Sequence, residues 1–316
     1  MRIQKIAIMG AGAMGAAYAA MFSDARDFSV SFVAREERYR RLAQDALSVN
    51  GKEYVVPVIH PDAVEEPADL VIVALKHHHL DDALQDIKAL VGDSTIILSV
   101  MNGLESEEMI GAVCGLDKMV NAIAVGIDAV REEDRFQYAN RGKIIFGVLP
   151  HADGDHRLDS LKAALDQAGI PNELSENMDR VLWLKFMINV GINQASAVLR
   201  SPYGIFQSSP DALALMKTLM QEVIVLAQKN RIDLSLKDLD EWCAILNTLS
   251  PDGKTSMLQD IEAGRKTEVE IFAGKMVSMG KEYHVPTPVN DAVLHIIKVF
   301  ESRKNPGSNA GFEIIP

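Results

Sequence analysis

The chain has 316 residues, of which 48% are hydrophobic and 24% charged, and a formal net charge of -12. That length has room for two domains, no run reaches the roughly 18 unbroken apolar residues of a membrane helix, and the negative charge argues against nucleic acid or an anionic membrane as partner while leaving a small anion open. Cys114 and Cys243 are the only cysteines and stand far apart, which speaks against a disulfide framework or a structural zinc site.

The first predicted element is the strand KIAIM, followed at once by Gly10-Ala11-Gly12-Ala13-Met14-Gly15 and then by Ala and Met at helical spacing. The apolar run is short, carries Lys5 and enters a glycine turn, so it reads as a buried strand and not as a signal peptide, with the cytoplasm as the expected compartment. In a strand, turn and helix of this kind the first glycine makes the tight turn, the second lets backbone approach a pyrophosphate, and the third lets helix and strand pack closely. The helix start offers unpaired N–H groups and a partial positive charge. The alternative is a glycine turn that only closes a helix against a sheet.

Further strands are expected at VSFVA, DLVIVAL, TIILSV and MVNAIAVGI, with helices between most of them. LSVNGKEYVVPVI reads as a hairpin turning at Asn50-Gly51, and RFQYANRGKIIFG as a second one turning near Asn140 to Gly142. VSFVA ends at Arg35, whose guanidinium suits a 2′-phosphate through forked hydrogen bonds, with Arg38 near enough to help. This favours NADP; Glu36 could instead serve the plain ribose of NAD. The run His77-His78-His79 is read as solvated or loop-facing, because neighbouring side chains at a helix start point in different directions and do not share a metal.

After about Pro171 strand signals give way to long 3.6-residue periods in MDRVLWLKFMINVGINQASAVL, ALALMKTLMQEVIVLAQKN and EVEIFAGKMVSMGKEY. The predicted fold is therefore α/β: a Rossmann-type doubly wound sheet over residues 1–172, followed by a mainly α-helical domain over 173–316. The tail SRKNPGSNAGFEIIP is expected to be irregular.

Lys185, Asn189 and Asn193 recur every four residues, about 40° apart around an α-helix, and form one polar stripe among Leu, Phe, Met, Ile and Val. An ammonium and two amides need partners in such surroundings. Either they bond one another in a core network or they line a cleft where a ligand supplies the partners; a partly buried lysine also suits acid–base work. In TSMLQDIEAGRKTEVEIFAG, Ser256 with Gln259 and Thr267 with Glu270 each read as a capping box, and Gly264 as the break between two helices. Ser256 is then an N-cap or a carboxylate site, and Glu268 a dipole-stabilising acid in the first turn of a helix or a site acid.

Together the Gly10 to Gly15 turn, VALK ending at Lys76, NGL at Asn102 to Leu104, LWLKFMINVGIN, and SMLQD followed by RKTEVE resemble the ketopantoate reductase (2-dehydropantoate 2-reductase) family, in order and over nearly the whole chain. The resemblance implies reduction of 2-dehydropantoate to (R)-pantoate by NADPH, in the route to pantothenate and coenzyme A, without a metal. It implies Lys185 as proton donor, Asn189 and Asn193 as residues that bind and orient substrate, Ser256 at the substrate carboxylate, and Glu268 as an acid at cofactor and lysine. It further implies Asn102 beside the nicotinamide and substrate, Lys76 near it, and Arg35 at the adenosine phosphate. The partner is then a small anionic 2-keto acid, and the apolar helical half has room for a homodimer. Met101, Tyr203 and the segment FQYAN depart from the family pattern and bear on the exact substrate. A paralogue acting on another small 2-keto acid, a 3-hydroxyacid dehydrogenase and a non-catalytic NADP-binding redox sensor are the competing readings.

Overall fold

A computed structural model describes residues 2–132, 135–147 and 156–304. By its internal contacts the chain divides into two compact units, one ending at Leu182 and the other beginning at Trp183.

The first unit holds an eight-stranded sheet. Its strands are β1 (Lys5–Met9), β2 (Ser29–Val33), β5 (Val58–Ile59), β6 (Leu70–Val73), β7 (Ile96–Ser99), β8 (Met119–Ile127), β11 (Arg141–Gly147) and β12 (Asn172–Leu174). Their spatial order is β12-β11-β8-β7-β6-β1-β2-β5. β1 is flanked in parallel by β2 on one side, with Ile6 opposite Val30, and by β6 on the other, with Ile6 opposite Leu70. The chain thus builds outward from β1 in one direction, then returns to the other side of β1. A ligand crevice opens at the carboxyl ends of the strands where such a reversal occurs.

The run Ile6 to Met9 is buried on both faces, as strands inside a parallel sheet must be. Ile6 and Ile8 join Phe32, Leu70, Ile72 and helix α1 (Ala13–Asp24) in one layer of core. Ala7 and Met9 join Val33, Val71 and Val73 in the opposite layer, with Leu80 and Ile87 of α3 (Leu80–Ala89) and Ile110 of α4 (Ser106–Cys114). The two-residue period of the strands therefore sorts side chains to helices on both faces. α1 is alanine-rich and buried from Gly15 through Phe22, with no polar face.

The Asn50-Gly51 hairpin forms as expected: β3 (Leu47–Val49) pairs antiparallel with β4 (Lys52–Tyr54), Val49 opposite Lys52. Both turn residues have positive φ, +51° and +77°, the conformation a two-residue I′ turn needs. The second predicted hairpin does not form. β10 (Arg135–Gln137) pairs with β3 and with β9 (Val130–Glu132), while β11 pairs with β8 and β12. The turn at Asn140 to Gly142 carries the chain from a separate four-stranded sheet, β4-β3-β10-β9, into the large one. Turn chemistry marked the bend, but the strands on either side bury themselves against different partners. β12 is also a strand where helical texture was expected to begin; its three residues are too few to carry a period.

The second unit is helical. The chain enters it within α6 (Met178–Ile188) and continues through α7 (Gln194–Leu199), α8 (Gly204–Ser208), α9 (Pro210–Lys229), α10 (Leu236–Leu246), α11 (Ser256–Ala263), α12 (Lys275–Glu282) and α13 (Pro288–Lys304). α9 buries Met216, Leu219, Met220, Val223, Ile224 and Ala227, a stripe at the spacing of one helix face. Ser302 to Lys304 end α13, and the rest of the expected irregular tail, 305–316, lies outside the described residues.

One predicted helix is interrupted by a single π-helical turn, Asn189–Asn193, and another opens with one, Glu270–Gly274. A side chain at Gly191 in the first would come within 2.3 Å of Met220 Cγ and 3.3 Å of the Met216 carbonyl oxygen, so α9 presses directly on this backbone. Such π turns are rare and cluster at functional sites.

Candidate active site

Within the first unit, the carboxyl ends of four adjacent strands carry every cofactor residue expected there. Across the order β2-β1-β6-β7 these are Arg35, the turn Gly10 to Gly15, Lys76 and Asn102. Strands lie about 4.8 Å apart, so the set spans roughly 14 Å along the sheet edge.

Gly10 and Gly15 make the tight turn and the close helix packing that their spacing predicts. Gly10 has φ +107°, and a Cβ there would stand 2.5 Å from the Ala74 carbonyl oxygen at the end of β6. A Cβ on Gly15 would lie 1.8 Å from the Gly10 carbonyl oxygen, so helix and turn touch through backbone alone. At Gly12 a Cβ would meet nothing within 4 Å. Gly12 is also the N-cap of α1 and supplies no side chain to the free amides of the first turn, which contains no acid. An open, uncapped helix start at a sheet reversal is a place for a diphosphate. Ala11, Ala13 and Met14 are half-buried beside it.

Lys76 caps the 3₁₀ turn His77–His79, and Asn102 follows β7 just before Gly103, whose φ is +97°. The side chains of His78 and His79 do not point apart as expected: their rings meet with centroids 4.2 Å apart at a tilt of 55°. Among the described residues no three metal-ligating side chains cluster.

Arg35 is engaged in a way its sequence position did not foretell. Its Nη1 and Nη2 donate to the two carboxylate oxygens of Asp62, at 2.9 and 2.7 Å, and its Nε donates to Asp86 at 2.7 Å. The hydrogen bonds from Arg35 hold the Asp62 carboxyl below its usual range, and the same donation to Asp62 and Asp86 raises the Arg35 guanidinium. Both acids come from later in the chain, so only their residue type hinted at them.

In the second unit, Lys185 lies in the last turn of α6, half-buried, and Asn189 and Asn193 bracket the π turn. The stripe is therefore not one continuous α-helical row, because its second step crosses the wider turn. Asn193 is 6% exposed and its Nδ2 donates to Asn189 Oδ1 at 3.0 Å. Behind it, Gln194 Nε2 donates to the Val190 carbonyl oxygen and to Asn290 Oδ1, and Asn290 Nδ2 donates to Glu222 at 2.7 Å. Glu222 also accepts from the backbone N–H groups of Val289 and Asn290 at the start of α13. This buried chain anchors the π turn, and the sequence carried no signal for it.

Ser256 is not the N-cap. Thr255 caps α11, its hydroxyl accepting from the Leu258 N–H at 3.2 Å, while Ser256 is exposed at the first helical position. The cap is this single bond and not a capping box, since the residue three positions on is Leu258, and the Ser256 hydroxyl takes no part in it. Gly264 ends α11 with φ +69°, as expected. Thr267 and Glu270 form no capping box either: Glu301 of α13 accepts from both the N–H and the hydroxyl of Thr267 at 2.7 Å. Glu268 thus lies half-buried in a bend before the π turn and not inside a helix. Both α11 and the π turn of Glu270–Gly274 pack on that of Asn189–Asn193. Tyr203 stacks on Gly253, three residues ahead of Ser256.

A doubly wound sheet with this glycine turn and a second, helical unit with a lysine–asparagine stripe define a nicotinamide-dependent oxidoreductase of two-unit build. Residues 6–151 match the family model "Ketopantoate reductase PanE/ApbA" and 177–301 its C-terminal counterpart, so the chain belongs to the ketopantoate reductase family and is an oxidoreductase of that type. It is 26% identical over 309 residues to a 2-dehydropantoate 2-reductase of Aquifex aeolicus (strain VF5), covering 95% of this chain and 97% of that one. It is 25% identical over 309 residues to the Pyrococcus horikoshii protein of the same name, covering 94% and 98%. Among solved structures, D-mandelate dehydrogenase in a ternary complex with NADH and anilino(oxo)acetate superposes with a TM-score of 0.86 at 25% identity, over 96% of this chain and 99% of that one. A PanE/ApbA family ketopantoate reductase from Ralstonia eutropha JMP134 does so with a TM-score of 0.81 at 25% identity, over 96% and 100%.

Proposed function

We propose that this chain reduces 2-dehydropantoate to (R)-pantoate with NADPH, in the route to pantothenate and coenzyme A. The observation that carries the reading is the stripe of Lys185, Asn189 and Asn193 held on a π turn, an arrangement a sensor without turnover would not need. The residues that would hold the cofactor are Gly10 to Gly15 for the diphosphate, Arg35 for the 2′-phosphate, and Lys76 and Asn102 toward the nicotinamide. When bound, NADPH supplies the hydride that goes to the keto carbon.

As negative charge collects on the carbonyl oxygen, the Lys185 ammonium stabilises it and donates the proton. Asn189 and Asn193 orient the keto acid, and the uncommitted hydroxyl of Ser256, at a helix start, suits its carboxylate. Glu268 is the acid partner of lysine and cofactor. Support comes from the family membership and from relatives that carry the 2-dehydropantoate 2-reductase name. A homodimer belongs to the same reading, and light scattering on the purified chain tests it.

A second reading, reduction of another small 2-keto acid, is favoured by the likeness to D-mandelate dehydrogenase and by the aromatic Tyr203 packed ahead of Ser256. NADPH oxidation with a panel containing 2-dehydropantoate, phenylglyoxylate and aliphatic 2-keto acids separates the two by kcat/KM. Lys185→Ala is expected to lower kcat by about 10²–10⁴-fold with NADPH affinity retained. Full turnover in that variant would remove Lys185 from the mechanism.

A further inference from the structure

We propose that Asp62 sets how strongly this chain prefers NADPH over NADH, because its carboxylate already occupies the forked face of Arg35 that a 2′-phosphate would have to take. The proposal rests on the reading of Arg35 as the residue at the adenosine ribose.

The two acids on Arg35 do different jobs. Asp86, on α3, has a side chain only 13% exposed and grips Nε, which fixes the plane of the guanidinium. Asp62 has a side chain 66% exposed and takes both Nη groups, the same two-pronged arrangement that Arg offers to phosphate. The first is an anchor and the second a replaceable counter-anion.

The backbone that presents Asp62 is itself held in place. Asp62 sits in a 3₁₀ turn opened by the buried Pro61, and its N–H donates to His60 Nδ1 at 3.3 Å. The His60 ring packs edge-on against Tyr39 of helix α2 (Glu36–Gln44), the helix that Arg35 caps. Directly after Arg35 the chain bends through Glu36 with φ +49°, a conformation unfavourable for a residue with a side chain. The Asp62 carboxylate can swing away, while its backbone stays beside the guanidinium.

The two cofactors then meet different situations. NADPH must exchange one anion for another on Arg35 and leave the displaced carboxylate close to a phosphate of like charge. NADH requires no exchange, and the Asp62 oxygens can accept hydrogen bonds from its ribose hydroxyls. Asp62 thus weakens the phosphate contact and supports the hydroxyl one.

The test is to measure dissociation constants for NADPH, NADH, 2′,5′-ADP and 5′-AMP with the wild type, Asp62→Asn and Arg35→Ala. Asp62→Asn is expected to tighten NADPH and 2′,5′-ADP by about tenfold while leaving NADH and 5′-AMP unchanged or weaker, since a charge-assisted pair no longer has to be broken. Unchanged or weaker 2′,5′-ADP binding in Asp62→Asn, with Arg35→Ala still selectively losing 2′,5′-ADP, overturns the role of Asp62 alone. Equal loss of all four ligands in Arg35→Ala overturns the placement of Arg35 and the proposal with it. Should the Asn variant melt early, Asp62→Ser is read by the same ratios.

Discussion

The side-chain amide of Asn193 donates to the side-chain carbonyl of Asn189 at 3.0 Å. With its oxygen committed inward, Asn189 keeps its own N–H donors for an oxygen of a ligand, which is what a keto acid presents. Behind the pair, Gln194, Asn290 and Glu222 hold the π turn from three helices. Between Asn193 and Asn189 the stripe forms the internally bonded network that the sequence offered as one alternative.

Replacing Asn193 by Ala should therefore do two things. KM for the keto acid should rise by about tenfold, roughly 1.4 kcal/mol of substrate binding, as Asn189 loses its orientation. Urea unfolding should show a loss of about 1–3 kcal/mol, because a buried hydrogen bond goes with the amide. An unchanged KM in a folded variant would remove the pair from substrate binding.

The glycines of the turn should separate cofactor binding from folding. Gly15→Ala puts a Cβ against the Gly10 carbonyl oxygen and should lower the melting temperature markedly. Gly12→Ala meets no protein atom and has an ordinary negative φ, -83°, so the melting temperature should hold while NADPH and NADH both weaken. Full dinucleotide affinity in Gly12→Ala would mean that no diphosphate approaches there.

Acidification should expose the Arg35–Asp62 pair. Because the Asp62 carboxyl is held below its usual value in the folded chain, its stabilising contribution is present above the unfolded pKa of about 3.9 and is lost as pH falls through the folded one. The stability gap between wild type and Asp62→Asn should be largest near neutral pH and close as the pH drops below about 4. A gap that stays constant across that range would show that the pair does not contribute through charge.

What was legible in the chain by itself was whatever local chemistry dictates. The strand, glycine turn and helix at the start, the Asn50-Gly51 hairpin and the Gly264 stop each follow from backbone sterics within a few residues, and each forms. The polar stripe was visible as well, since a lysine and two asparagines stand out on an apolar helix. Long-range partners were not. Whether the residues before Asn140 pair with those after it depended on the partners that β3 and β8 present, and the fate of Thr267 on Glu301, 34 residues away. The π turn at Asn189–Asn193 arises where α9 presses on Gly191, and the acids on Arg35 arrive from a turn and a helix further along. Hydrogen bonds and close contacts between distant segments are chosen by the folded arrangement as a whole, and no local pattern of residue types encodes them.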